Sequence, residues 1–244
     1  MTGATLALIG ISLSGCSPPR GGEPGEPCPP SPVPLFSETF SGGNEGAWRL
    51  SDRSIIEASG GDPGAFLRDV NLDTFAPLAR TQWEKPSMFT GAYRAQGVVA
   101  LAASFQIFSA TWTVEERPMS LMLVSDPGTP HDASDDTSAF YVGPDNIPFP
   151  GAGWSRYHFE VPSHSLTLPF PRSQAEGEPG WVVAEGDIFT PAKDPDAAWN
   201  TVMEDVDQVI FWFHDPRYFA IFQQWDVGMD NPSIFICRDA CSPG

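Results

Sequence analysis

Histidine, serine and acidic side chains are the residue types that most often carry catalysis, and here they lack the spacing that catalysis needs. The sequence contains no Gly-x-Ser-x-Gly turn, no His-Glu-x-x-His motif and no phosphate-binding glycine loop. Adjacent Glu115 and Glu116 would point to opposite faces of a strand, and the acids of residues 204–207 fall at a predicted helix end. Four histidines lack any partner array: His131, His158, His164 and His214. The residues therefore predict that the chain is not an enzyme.

The eight tryptophans offer a second kind of chemistry, because flat aromatic rings stack on the apolar C–H faces of sugars. Trp83 and Trp181 are the first candidates for a ligand-binding platform, since their surroundings are polar or rich in Gly and Pro. Trp112 and Trp154 also lie in or beside predicted loops. The alternative is that these rings fill the core or pin the loops to it.

An acidic loop at residues 126–136 is a candidate cation site. Asp132, Asp135 and Asp136 lie close together there, and calcium prefers several oxygen ligands. The loop lacks the Asp-x-Asp-x-Asp-Gly register and the distal Glu of an EF-hand. We therefore favour a solvated loop over a metal site at this position.

The N-terminus predicts export. Residues 4–13 form an apolar run that is shorter than the roughly 20 residues that cross a bilayer, and it has the length of a signal-peptide core. The run ends in Leu13-Ser14-Gly15-Cys16, which resembles the lipobox of bacterial lipoproteins. We interpret residues 1–15 as a lipoprotein signal peptide and Cys16 as the lipidation site. The alternative is an ordinary apolar segment that ends in Cys by chance, and the lack of Lys or Arg before Cys16 departs from the usual leader.

A tether follows the predicted lipidation site. Residues 16–35 are rich in Pro and Gly and show no apolar period, which is typical of a spacer. No other stretch is apolar enough to cross a membrane, so the predicted membrane link is through lipid. Cys237 and Cys241 are close enough to form a disulfide, and Cys28 is an alternative partner for either of them.

The composition narrows the class of partner. The chain has 31 Asp plus Glu against 13 Lys plus Arg, which gives a formal net charge of −18. This charge argues against nucleic acid and anionic lipid headgroups as partners, and it permits cations. Pro and Gly number 26 and 23, and 12% of residues are aromatic. This composition predicts a turn-rich fold with a substantial core.

Several apolar or alternating runs predict strands. Residues 97–108 and 156–161 show the period of two that is typical of strands, and residues 120–124 are a short apolar run before a turn. Residues 208–213 and 218–225 are both rich in aromatics, and the four residues between them are typical of a hairpin turn. A last strand is predicted at residues 227–236.

One short amphipathic helix is predicted at residues 194–206. Asp194 is a good N-cap, and Pro195 follows at the first helical position. Apolar residues then recur at helical spacing: Trp199, Val202, Met203 and Val206. Strands and helices do not alternate as they would in a parallel α/β fold, so the fold class is all-β, with one antiparallel β-sandwich domain at residues 36–244.

The order of short motifs along this domain resembles laminin B (laminin domain IV) modules. No single motif is specific, but six occur in the family's order: residues 57–67, 75–77, 97–108, 153–162, 199–212 and 227–234. Ala65 and Pro232 depart from the family pattern. The resemblance implies a galactose-binding-like fold, which is a two-sheet antiparallel jelly roll. It also implies a structural calcium ion where the first strand meets the last, with Glu38 and Asp230 as the candidate ligands. For Asp230, the alternative is that it accepts backbone N–H groups and fixes the strand.

These observations predict a non-catalytic, lipid-anchored extracytoplasmic module that acts in binding or adhesion. Polysaccharide is one candidate partner and a cell-envelope protein is another. The alternatives are a structural envelope protein without a small ligand and a carbohydrate-active hydrolase. The expected location is the periplasm or the cell surface.

Overall fold

The computed structural model describes residues 31–43, 46–112, 116–129 and 132–238. Along this part of the chain run strands β1 (Ser31–Ser37), β2 (Trp48–Arg49), β3 (Ile55–Gly61), β4 (Gly64–Thr74) and β5 (Leu78–Thr81), helix α1 (Tyr93–Gln96), strands β6 (Val98–Ala110), β7 (Pro118–Ser125), β8 (Thr137–Asn146), β9 (Ser155–Glu160) and β10 (Gly180–Glu185), helix α2 (Pro195–Glu204), and strands β11 (Gln208–Trp212) and β12 (Gln223–Arg238).

The strands form two six-stranded antiparallel sheets that face each other. Sheet A has the order β3-β4-β12-β6-β9, and β1 pairs with the end of β12. Sheet B has the order β10-β8-β7-β11-β5-β2. The predicted all-β, two-sheet jelly roll is confirmed.

Strand alternation places the core between the two sheets. In β9, Tyr157 and Phe159 are buried while Arg156 and His158 are exposed, as the alternating sequence predicts. In β11, Phe211 packs in the main core, where it contacts Phe105 of sheet A at a ring-centroid distance of 5.4 Å. Side chains of sheet B that point the other way form a second apolar cluster on its outer face: Met122, Val124, Phe140, Val142 and Ile210.

Two of the motifs behind the family resemblance meet in space. The strand β12 changes partner from β4 to β1 at Asp230 and Asn231, where Asn231 has a φ of 48°. The Asp230 carboxylate accepts the backbone N–H groups of Asp62 and Asn231, and the Asn231 amide donates to the Asp62 carbonyl. The Asp-Asn pair therefore holds the turn between β3 and β4 against the middle of β12.

The predicted helix is confirmed, with a C-terminal end two residues earlier than expected. Asp194 Oδ1 accepts the N–H of Ala197 at 3.1 Å, and Pro195 begins the helix. The apolar stripe is buried, and Trp199 meets Trp181 edge to face with ring centroids 4.9 Å apart. Helix α2 covers β8 and β10 of sheet B.

Two sequence-based predictions differ from the structure, one about a hairpin and one about where the tether ends. The segments 208–213 and 218–225 do not form a hairpin, because β11 pairs with β5 and β7 in sheet B while β12 belongs to sheet A. The tether predicted at residues 16–35 ends earlier, because β1 begins at Ser31 and pairs with β12. The prolines Pro32 and Pro34 are tolerated since β1 lies at an edge, where a missing N–H breaks no second ladder.

No helix in the described part of the chain is long and apolar enough to cross a membrane. The predicted signal peptide and Cys16 lie outside the described residues, as do Cys28 and Cys241.

Candidate ligand-binding cleft

The connection between β11 and β12 carries the chain from sheet B to sheet A and exposes an unusual number of aromatic side chains. We call residues 213–222 the crossover. Within it, Tyr218, Phe219 and Phe222 are 42%, 86% and 54% exposed. Large apolar side chains on a protein surface carry a cost unless they meet a partner, so a cluster of them marks a binding surface.

A buried ion pair fixes the conformation of the crossover. The Asp215 carboxylate is fully buried and accepts hydrogen bonds from Arg217 N, Nε and Nη2 and from Gly177 N, at 2.7–3.0 Å. Burial raises the pKa of Asp215, but the hydrogen bonds from Arg217 and Gly177 outweigh it, so the pKa lies below its ordinary value. Arg217 also donates to Ser173 Oγ and to the Ala175 carbonyl. The crossover is therefore tied to the 173–177 loop.

On one side of the crossover lies a cleft of about 480 Å³, which we call the aromatic cleft. Its wall includes five aromatic side chains: Phe75, Phe189, Trp212, Tyr218 and Phe219. Phe75 and Phe189 are 53% and 61% exposed. The floor is the outer face of sheet B, where Trp212 stands opposite Leu78 in the strand register. The volume falls within the range that small-molecule sites occupy.

A second cleft of about 540 Å³ lies on the other side of the crossover, and we call it the polar cleft. Glu116, Arg117 and Asn146 contribute to its lining. The two clefts share three residues, which are His214, Tyr218 and Phe219. They therefore form adjoining parts of one surface.

His214 forms part of the wall between the clefts. It is 6% exposed and its ring stacks on Tyr218 at 5.4 Å. Neither ring nitrogen makes a hydrogen bond of good geometry with a described residue, although the backbone of Phe219 lies close enough to favour the protonated ring. Burial and then the positive charge of Arg117 lower the pKa of His214. The ring is thus neutral at pH 7 and presents one donor and one acceptor.

The two tryptophans predicted as a sugar platform do not lie together. Trp181 is 2% exposed because strand alternation in β10 turns it towards the core and Trp199, which corrects the expectation of an exposed loop residue. Trp83 is half-buried, packs beside the outer-face cluster of sheet B, and lines a separate groove with Asp205 and Asp207.

The calcium ligands predicted by the resemblance are both engaged in hydrogen bonds with the backbone. Glu38 Oε1 accepts the N–H of Phe40 at 3.0 Å, and Asp230 accepts those of Asp62 and Asn231. Burial raises the pKa of Asp230, and the two N–H groups oppose that shift. This arrangement agrees with the alternative role of Asp230 in fixing the strand. Calcium binding at Glu38 and Asp230 stays a prediction.

In the acidic loop, the described structure brings together Asp126, Asp135 and Asp136, whose carboxylate oxygens lie within 4.8 Å of one another. Asp132 is not part of this group and accepts hydrogen bonds from the backbone N–H and the hydroxyl of Ser134. Burial and then the charges of Asp126 and Asp135 raise the pKa of Asp136 to about 6. Thr129 Oγ1 already contacts both oxygens of Asp135, so the loop is held by its own hydrogen bonds.

Cys237, near the end of β12, is not a free cysteine. The other three cysteines lie outside the described residues, so the Cys237–Cys241 disulfide stays a prediction.

The sequence contained a signal for the cleft that the hairpin interpretation hid. The run Tyr218, Phe219, Ile221 and Phe222 has no polar residue alternating with the apolar ones, as a strand with one solvent face would have. Phe75 and Phe189 are isolated aromatics in turn-rich segments. Only the path of the chain between the sheets brings these residues together.

Similarity to known proteins is found among solved structures. No protein-family model matches the sequence, and no curated protein matches it. Among solved structures, the chain is similar to the C-terminal family 22 carbohydrate-binding module of Clostridium thermocellum Xyn10B, with a TM-score of 0.42 and 9% identity, over 85% of this chain and 96% of that one. It is also similar to an exo-β-agarase, with a TM-score of 0.43 and 12% identity, over 83% of this chain and 25% of that one.

A third similar structure is the L4b domain of human laminin α2, with a TM-score of 0.34 and 12% identity, over 79% of this chain and 83% of that one. These likenesses to solved structures carry no conclusion about what this chain binds.

Proposed function

We propose that the chain is a non-catalytic polysaccharide-binding module and that the aromatic cleft is its binding site. The observation that carries the proposal is the group of four aromatic side chains around one cleft, Phe75, Phe189, Tyr218 and Phe219, which are 42–86% exposed. Pyranose rings offer apolar C–H faces of similar size, and stacking would remove both surfaces from water.

The polar groups beside these rings suit sugar hydroxyls. Neutral His214 has a donor and an acceptor, and Asn146 and Glu116 lie in the adjoining polar cleft. A ligand that spans both clefts would stack on Tyr218 and Phe219 and reach the polar groups behind them. A polymer fits this open surface because it can enter from the side.

The residues of the clefts support binding rather than hydrolysis. Glycoside hydrolysis uses two carboxyl groups on either side of the bond to be broken. Among the described residues that line the two clefts, Glu116 is the one carboxylate, and the nearby Asp215 is taken up by Arg217. A second carboxylate to act with Glu116 is therefore missing from the described lining.

We also propose that the module is extracytoplasmic and attached to a membrane by lipid at Cys16. The lipobox-like run 13–16 and the Pro-rich segment after it support this. Labelling cells with an alkyne-modified fatty acid tests the anchor: the full chain should incorporate the label and its Cys16→Ser variant should not. Labelling that persists in the variant would contradict the proposed anchor.

Binding is tested by screening the full chain, in mild detergent, on an array of plant, algal and bacterial polysaccharides. We expect Phe219→Ala and Phe189→Ala each to weaken binding about fivefold, because one lost ring contact is worth about 1 kcal/mol. Phe170→Ala is the matched control, since Phe170 is 83% exposed but lies outside both clefts.

Two results would contradict the proposal. Equal losses in Phe170→Ala and Phe219→Ala would show that exposed rings act without regard to the cleft. Absence of binding to every polysaccharide would favour a structural role in the envelope.

A further inference from the structure

Arg117 in the polar cleft is a buried cation that pairs with no carboxylate among the described residues. Arg117 is 7% exposed, and its Nη1 atom is buried and makes no hydrogen bond with a described residue. It forms no ion pair with a described residue, and the guanidinium carbon lies 6.0 Å from the centre of the Trp225 ring. Arginines are almost never this buried unless they are paired.

The other arginine of the same region shows what a satisfied site looks like. Arg217 is held by both oxygens of Asp215 and by two further acceptors. Asp215 is thereby occupied and does not neutralise Arg117. Glu116, the neighbour of Arg117, is exposed and forms no ion pair with it in the described structure.

His214 is a second buried polar group on the same cleft wall. The residue is 6% exposed, lines the polar cleft together with Arg117, and has no hydrogen bond of good geometry with a described residue, although the Phe219 backbone lies near its ring. The unpaired guanidinium of Arg117, with a neutral imidazole on the same wall, points to a ligand that supplies acceptors. The planar fork of a guanidinium matches the paired oxygens of a carboxylate or a sulfate.

We infer that Arg117 and His214 bind the acidic group of a charged sugar, so that the ligand of the module is an anionic polysaccharide. This inference rests on the proposed function. The sugar ring lies against Tyr218 and Phe219, and its carboxylate or sulfate occupies the polar cleft behind them. The chemistry is shared by uronic acids and by sulfated sugars.

The negative charge of the whole chain means that an anionic polymer is held by the local contact with Arg117 and not by long-range attraction. A net charge of −18 repels a polyanion at long range. Added salt screens contacts beyond about 8 Å at physiological ionic strength, while it weakens a buried pair much less. Binding to a buried Arg117 should therefore not fall between about 0.02 M and 0.15 M salt, where binding to a basic surface would fall steeply.

The test is calorimetry on the full chain with three polymers: polygalacturonate, a sulfated galactan and neutral xylan. We expect at least one of the anionic polymers to bind at least about tenfold more tightly than xylan. The reason is that neutral xylan has no acidic group to form a charge-assisted pair with Arg117. Arg117→Met should abolish this preference, so that the anionic polymers bind no more tightly than xylan does to the same variant. Arg172→Met, at a surface arginine outside both clefts, is the matched control and should keep the preference.

The melting temperature without ligand shows whether the Arg117→Met variant is folded. Removal of an unpaired buried charge should leave the melting temperature of Arg117→Met equal or higher. If that variant fails to fold, Arg117→Lys keeps the charge, loses the fork, and should weaken the preference several-fold.

The outcomes separate this inference from the proposed function. Xylan binding that depends on Phe219, with no preference for anionic polymers, would overturn the inference alone. A preference for anionic polymers that survives in Arg117→Met would also overturn it. So would tighter binding of dodecanoate than of any polymer, because dodecanoate is a carboxylate on an apolar chain and not a sugar. Absence of binding to all three polymers and to the wider array would overturn both.

Discussion

Replacing Asp215 by Asn should destabilise the fold and disorganise the cleft, because this carboxylate holds the crossover in place. Asp215 is fully buried and accepts four hydrogen bonds, three from Arg217 and one from Gly177. The introduced amide would turn a donor towards these donors and leave Arg217 without a counter-charge. The side chain of Arg217 is only 14% exposed, so water does not replace the lost partner.

The expected loss is about 3 kcal/mol in the free energy of unfolding. Breaking one side of a buried ion pair costs roughly 3–5 kcal/mol. The lower end applies because Arg217 keeps its hydrogen bonds to Ser173 and Ala175. The folded-state pKa of Asp215 is lowered, so its contribution is present at neutral pH and is lost as the pH falls through that pKa.

Urea unfolding of the full chain at pH 7 and pH 3 measures this. Asp52→Asn is the control, since Asp52 also pairs with an arginine but is 89% exposed, and its loss should cost less than about 1 kcal/mol. A loss below about 1 kcal/mol in Asp215→Asn at pH 7 would refute the role of this pair, as would a difference from wild type that does not shrink at pH 3.

Three smaller predictions concern other parts of the domain. Asp194→Ala should lower the free energy of unfolding by about 1 kcal/mol, since it removes the N-cap of α2; no change in urea unfolding would contradict the cap. Asp136→Asn should raise the free energy of unfolding by about 1 kcal/mol above pH 6, after allowance for partial exposure, because the raised pKa shows that the ionised carboxylate is unfavourable in the folded state. The gain should vanish below about pH 4, and equal free energies of unfolding of variant and wild type at about pH 7.5 would argue against it. If calcium binds at Glu38 and Asp230 as the resemblance predicts, EDTA should lower the melting temperature by several degrees, and calcium should restore it; an unchanged melting temperature would contradict the metal site and leave Asp230 as an acceptor of the Asp62 and Asn231 N–H groups alone.

Local patterns predicted the elements whose residues act on their near neighbours. The cap and apolar stripe of α2 and the alternation of β9 depend on spacings of two to seven residues, and both are confirmed. The resemblance also identified the Asp-Asn pair of β12, although its contact with the β3–β4 turn spans 168 residues. The order of motifs along the chain can therefore indicate a residue with a long-range role, which the spacing of neighbouring residues cannot.

The cleft was beyond sequence reasoning because its walls come from distant segments. Phe75 follows β4, Phe189 lies between β10 and α2, and Tyr218 lies in the crossover. The aromatic run after Arg217 has the composition of a strand, so composition favoured a hairpin. Pairing of β11 with β5 and β7 fills both of its edges, which leaves no edge for residues 218–222.

Trp181 shows the opposite error. Gly and Pro before it suggested a loop, yet Gly180 and Trp181 begin β10, and Trp181 alternates with Val183 towards the core. The type of a single side chain does not tell whether its ring faces solvent; the register of the strand does.

The central claim is that a polysaccharide binds across the crossover, and the most direct measurement is a crystal structure of the chain with an oligosaccharide from the tightest polymer. We expect a sugar ring stacked on Tyr218 or Phe219, within van der Waals distance of Phe189 or Phe75. A ligand seated instead in the groove beside Trp83, or on the opposite sheet, would contradict it.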